Sequence, residues 1–296
     1  MEYVHVCRYA LIAGPLLAAA CSVLSVFLVL RGMAMISEGV AHAGVGGMGV
    51  ALLIGLVLPF MDTQGGWFVV TGIFCTITAL VIGYVSRGKH VSEDSAIGIF
   101  LVASVSLGVC ALYFRRFLHG SAGTPPSLED ILFGGSIASA NLEDVYALIA
   151  LVACVFGIVF SMYKAFVYTT LDEEMARING VPVRMINVLL LLMVSVAISL
   201  GARMVGLFMI SALIIIPGAT ARLMSRSFGR VLASSLVVGV GGVVGSLFMA
   251  VLFAMKPGLD RLPPGPIIVL TLFAIFMVVW AYRQVFKVKF RSNVAG

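Results

Sequence analysis

The sequence predicts an all-α, polytopic membrane protein, and three observations carry that expectation. Hydrophobic residues fill 61% of 296 positions, charged residues only 11%, and the mean hydropathy is +1.14. A soluble chain interleaves polar faces with its core, whereas here apolar runs of bilayer-spanning length recur from end to end. Residues 1–296 therefore read as a single transmembrane domain in contact with lipid.

Spans are expected at about residues 8–31, 40–60, 67–86, 95–113, 145–163, 186–200, 202–217, 231–255 and 265–284. These make nine crossings. Two are short and adjoin at Gly201-Ala202-Arg203, so eight is the count if residues 186–217 are read differently.

Orientation follows from Lys and Arg, which gather in short loops that stay cytoplasmic. Arg283, Lys287, Lys289 and Arg291 mark an inside C-terminus. Counting back through nine spans places Arg222, Arg226 and Arg230, then Arg177 and Arg184, then Arg87 and Lys89, then Arg31 on the same side, with the N-terminus outside. Arg115 and Arg116 break the pattern, because they open an external loop. The net charge of +6 is spread over loop ends and so reports topology, which argues against a nucleic-acid partner.

The first apolar segment runs past Cys21 to Leu30, too long for a signal-peptide core, and is expected to stay in the mature protein despite Ala18-Ala19-Ala20-Cys21. Cys7, Cys21, Cys75, Cys110 and Cys154 lie in or beside spans without paired spacing and read as buried small hydrophobes. Polar stretches at 114–144, 164–185 and 218–230 are expected outside the lipid. In the first, Ser127-Leu128-Glu129-Asp130 reads as a helix start before a short external re-entrant or surface helix.

Glu38 and His42 open the second span. Four residues apart on a helix, a carboxylate and an imidazole share one face about a turn apart, as two metal ligands require. An ionisable side chain facing lipid costs several kcal/mol, so such a pair belongs in a protein interior or a water-filled path. The donor set suits Zn, Mn or Fe(II). Spacing alone also fits a carboxylate in the first helical turn beside an internally hydrogen-bonded His. Gly39, Gly44, Gly46, Gly47 and Gly49 are read as close helix packing, with room for an ion path as the other reading.

This segment resembles the Gly-Asp-Ala-x-Ser-His-x-x-Leu-x-Gly motif of bacterial zinc, manganese and iron ABC permeases. Glu38 falls on the motif Asp and His42 on its His, while Ser37 and Ala41 depart from it. The resemblance implies that these two positions take part in metal passage. Glu93-Asp94-Ser95-Ala96-Ile97-Gly98 is similar to the family's Glu-Asp-Thr-Ala-Ile-Gly, although Asp94 or Ser92 as a helix cap explains it locally. Leu132-Phe133-Gly134-Gly135-Ser136-Ile137 resembles its Leu-Phe-Gly-Ser-Ile, with Gly135 inserted.

Asp172-Glu173-Glu174-Met175-Ala176-Arg177-Ile178-Asn179-Gly180 resembles the coupling segment of ABC permeases, with Glu174, Ala176 and Gly180 at the signature spacing. A short helix stopped by Gly180 and followed by Pro182 suits docking in a groove, over about residues 172–185. Val205 to Ala221 is close to the family's Val-Gly-x-x-Leu-x-x-Ala-Leu-Leu-Ile-x-Pro-Ala-x-Thr-Ala. There Pro217 should kink or end its helix, as a pathway feature or a structural one, and Gly218 in place of Ala should loosen the kink. Arg203, near an external helix end, reads as a gate candidate or an interface charge.

The resemblance covers residues 10–285. It implies an ABC importer permease in the bacterial cytoplasmic membrane, paired with a second permease copy or paralogue, two cytoplasmic ATPase subunits and an external substrate-binding protein. The metal is cargo and no cofactor is resident. No Gly-x-x-x-x-Gly-Lys-Ser/Thr loop is present, so ATP is used by a partner chain. Three rivals make different demands. A cobalamin or siderophore permease needs no paired metal ligands, an intramembrane metalloprotease needs a third ligand and a His-Glu-x-x-His motif that is absent, and a gradient-driven transporter needs no ATPase.

Overall fold

A bilayer offers no water to backbone amides, so an apolar chain of this kind must satisfy them within helices. In the computed structural model, which describes residues 2–58, 60, 62–85, 92–119, 142–254 and 264–292, all regular structure is helical. Eleven helices lie among the described residues: α1 (Glu2–Leu30), α2 (Ala34–Val57), α3 (Gln64–Val85), α4 (Glu93–His119), α5 (Leu142–Ser161), α6 (Tyr163–Leu171), α7 (Glu173–Ile178), α8 (Val183–Val205), α9 (Leu207–Met224), α10 (Phe228–Ala254) and α11 (Pro264–Ser292). The segments at 127–130 and 132–137 lie outside the described residues, as do Arg87 and Lys89.

Among the described residues, eight helices are each long and apolar enough to cross a membrane: α1 to α4 and α8 to α11. The bent pair of α5 and α6, which turn by 75° where Met162 separates them, brings the count to nine if it is one broken span and leaves it at eight if it is a re-entrant loop. The junction expected at Gly201-Ala202-Arg203 lies elsewhere. Helix α8 continues through those residues to Val205, and the break falls on Gly206, whose φ of 83° suits a residue without a side chain.

Helix α1 packs on α9 and α10, and α2 lies between α3 and α4 while also touching α8 and α9. The glycines of α2 serve this packing. A Cβ at Gly49 would lie 2.7 Å from the Gly108 Cα of α4, and one at Gly47 would lie 2.9 Å from the Thr71 Cα of α3. Two neighbouring backbones therefore seat directly against α2, which strengthens dispersion contact where no hydrophobic effect acts between helices.

Pro217 does not end its helix, since α9 runs on to Met224. Proline forfeits one ladder bond, and the next amide has a partner on a neighbouring helix: Gly218 N–H donates to Ser25 Oγ of α1 at 2.8 Å. Gly218 is thus a site of tight approach rather than of looseness, because a Cβ there would lie 2.7 Å from the Ser25 carbonyl oxygen. The Pro217 ring points towards Gly239 of α10.

The cysteine expectation holds for Cys21 and Cys75, which are buried, and fails for Cys110 and Cys154, which are exposed on α4 and α5. In a membrane span an outward apolar side chain meets lipid, so exposure of a thiol there carries no polar penalty.

Candidate metal pair and coupling segment

Glu38 and His42 lie on successive turns of α2, and the helix brings their side chains together. His42 Nδ1 is 3.3 Å from Glu38 Oε1 and 3.1 Å from the Glu38 carbonyl oxygen. A ring protonated on Nδ1 donates there and leaves the Nε2 lone pair for a metal, the arrangement by which an outer partner orients a ligating imidazole. The Phe208 ring of α9 meets the imidazole edge-on, with centroids 6.3 Å apart. The side chains are only 17% (His42) and 25% (Glu38) exposed, so the pair sits inside the bundle wall with one open side. Among the described residues no group of three His, Cys, Asp or Glu could hold a metal ion.

The acids of the 172–180 segment build a short, outward helix. Asp172 caps α7, accepting from Met175 N–H at 2.9 Å, and Glu173 in the first turn pairs with Arg177 at 2.8 Å. At its end Gly180 adopts φ 75°, Gly180 N–H donates to the Arg177 carbonyl and Val181 N–H to that of Ala176, a paired closure of the last turn. Ala176 is buried while Met175 and Ile178 are 53% and 77% exposed, so an apolar face is turned outward from a helix bracketed by charges. That combination fits a socket on another protein.

Of the remaining expected site residues, Arg203 belongs to the last turn of α8, but its side chain lies outside the described part. Pro217 is buried among α1, α9 and α10. At the start of α4, Ser92 is the cap, accepting from Ser95 N–H at 3.2 Å.

Two arginines have side-chain roles that sequence reasoning did not supply. Arg115, the exception to the charge pattern, holds Asp62 with both branches of its guanidinium. Arg31 served only as a topology marker, yet its guanidinium is drawn inward. Nε donates to Thr170 Oγ1 at 3.0 Å, Nη2 to the Phe166 carbonyl at 3.4 Å, and Nη1 to Asn187 Oδ1. The signal available in sequence was a cation placed directly against a span end; its partners, 135 to 156 residues away, were not.

Apolar helices that cross a bilayer eight or nine times, with a semi-buried carboxylate and imidazole and a charged helix set outward between spans, define a polytopic membrane permease. The ABC 3 transport family model matches residues 3–283, and the chain belongs to that family. It is accordingly a multi-pass transport subunit and not an enzyme. It is 32% identical to the manganese transport system membrane protein MntC of Halalkalibacterium halodurans over 90% of this chain and 85% of that protein. It is 28% identical to the chelated iron transport system membrane protein YfeD of Yersinia pestis, over 96% and 87% respectively. The fold also resembles the solved structure of PsaBC from Streptococcus pneumoniae in complex with Fab, with a TM-score of 0.75, 25% identity, and coverage of 93% of this chain and 91% of that one.

Proposed function

We propose that this chain is the membrane-spanning subunit of an importer that carries a divalent transition metal, Mn or Fe(II) foremost, across the cytoplasmic membrane by alternating access. The observation that carries the reading is the pairing of Glu38 with His42 on one face of α2 in a family whose similar members include manganese and chelated-iron transport proteins. Two ligands hold an ion weakly enough for release, and two chains facing each other supply four. Zinc suits the same donors on chemical grounds.

Helix α7 is the contact for a cytoplasmic ATPase subunit, which hydrolyses ATP and whose closure drives the inward opening. An external binding protein delivers the ion, and a second copy or a paralogue completes the pathway.

The test is radiometal uptake by the complete complex in proteoliposomes, comparing Mn, Fe(II) and Zn for the natural chain, Glu38→Ala and His42→Ala. ATP-dependent uptake abolished by both substitutions, with the ATPase still bound, is the expected result. Uptake unchanged in both variants would remove the pair from the transport path.

A further inference from the structure

The Arg31 side chain stands between the two regions just described. It extends from the end of α1, and the chain turns at once into α2: Gly32 has φ 74°, Met33 N–H donates to the Leu28 carbonyl at 2.9 Å and Gly32 N–H to that of Val29 at 3.3 Å. This closure leaves no slack between Arg31 and Ala34, the first residue of the helix that carries Glu38 and His42. In the other direction the guanidinium reaches both flanks of α7. Phe166 and Thr170 belong to α6, which leads into Asp172, and Asn187 belongs to α8, which leads out through Pro182.

The contact is built rather than incidental. The Phe166 ring lies under the guanidinium, 5.9 Å from its carbon to the ring centroid, and packs at a 52° tilt against Phe27 of α1 with centroids 5.2 Å apart. Phe166, Thr170 and Asn187 are each buried. Burial pushes the Arg31 pKa down to about 10, and the Glu173 carboxylate of α7 pulls it back up, so the group stays cationic at neutral pH. An arginine that only marks the membrane edge would extend to water or lipid headgroups. This one directs a planar fork at three diverging acceptors, which the single nitrogen of a lysine cannot satisfy together.

We propose that Arg31 is a positioning residue that transmits movement of the α7 segment to the first turns of α2, so that displacement of the α6 and α8 ends shifts the Glu38 and His42 pair. The inference rests on the reading of α7 as the ATPase contact. ATPase closure bends the flanks of α7, the fork follows both, and the tight Gly32 turn passes the displacement into α2.

The experiment reads Mn(II) uptake and ATP hydrolysis together, in proteoliposomes of the complete complex, for Arg31→Lys and Asn187→Ala. Transmission predicts that hydrolysis persists while Mn(II) moved per ATP falls about tenfold in Arg31→Lys and by less in Asn187→Ala. Uptake and hydrolysis falling in proportion, or both unchanged, would overturn it. If Arg31→Lys does not assemble, Asn187→Ala decides on the same ratio, because it removes one acceptor and leaves the charge in place. Copurification of the ATPase with a Met175→Asp, Ile178→Asp variant tests the underlying reading separately. Loss of the ATPase there with a normal ratio in Arg31→Lys sinks this inference alone, whereas retention of the ATPase sinks the α7 contact itself.

Discussion

Arg115 of α4 holds Asp62 through both branches of its guanidinium, with Nη1 3.1 Å from Oδ1 and Nη2 2.8 Å from Oδ2. Nη1 also donates to the Leu52 carbonyl at 3.1 Å, and Asp62 accepts from Trp67 Nε1 at 3.0 Å. The Arg115 guanidinium, on the external side by charge counting, thus has its counter-ion beside it. Because Asp62 keeps a third of its surface in solvent, water screens part of the attraction. Asp62→Asn should cost about 1–2 kcal/mol, and Arg115→Ala more, since it also strands the Leu52 carbonyl. A double-mutant cycle on detergent-solubilised protein, read by unfolding temperature, checks both; additive losses would show that the pair is decorative.

Ser25 on α1 accepts from the amide of Gly218, the residue after Pro217 on α9. Ser25→Ala removes this buried bond between α1 and α9 and should cost about 1 kcal/mol. Gly218→Ala adds a methyl against the Ser25 backbone and should cost a comparable amount. Since the clash involves the carbonyl oxygen as well as Oγ, Ser25→Ala should not rescue Gly218→Ala. Recovery of the unfolding temperature in the double variant would place α1 farther from α9 than described.

Helix α7 offers a local test of form against function. Removing its cap by Asp172→Ala should cost the helix about 1 kcal/mol. Gly180→Ala places a side chain at φ 75° with open space around it, a backbone penalty of about 1–2 kcal/mol. Six residues cannot hold a helix without these ends. Both variants should weaken ATPase copurification while leaving the unfolding temperature of the membrane bundle within a degree or two; an unaffected ATPase contact would contradict the docking assignment.

At the proposed metal pair, Glu38→Asp withdraws the carboxylate by one methylene from His42 Nδ1, which it now approaches to 3.3 Å. Uptake should persist with an altered order of preference among Mn, Fe(II) and Zn, because carboxylate reach helps set coordination geometry. Competition between the three ions in the uptake assay reads this directly, and an unchanged order would separate side-chain length from selectivity.

Much of this architecture was legible because bilayer crossing imposes length and apolarity at once. The spans around Leu11–Leu30, Gly65–Val85 and Gly265–Val285 announce themselves in that way. Helix α6 did not, since Lys164 and the polar residues after it made the stretch from 164 read as lying outside the lipid, and the 75° bend at Met162 has no Pro or Gly to signal it. Glu38 and His42 were visible because their geometry is local to one helix. The Arg115 and Asp62 clasp and the Arg31 fork were invisible, since each joins residues that meet only after distant helices pack.

The backbone seating of α2 on α3 and α4 has a mechanical consequence. At Gly47, Gly49 and Gly108 main chain meets main chain with no side chain between to act as a bearing, whereas α2 meets α9 through the pliant Leu207 and Phe208 side chains. The three close-packed helices should then respond to displacement as one block, yielding first on the α9 side. A disulfide pinning α2 to α4 should leave transport intact, and one pinning α2 to α9 should arrest it. On the proposed reading, Glu38 and His42 ride on that block, so a substitution at either should change which ion is carried without changing how the block moves.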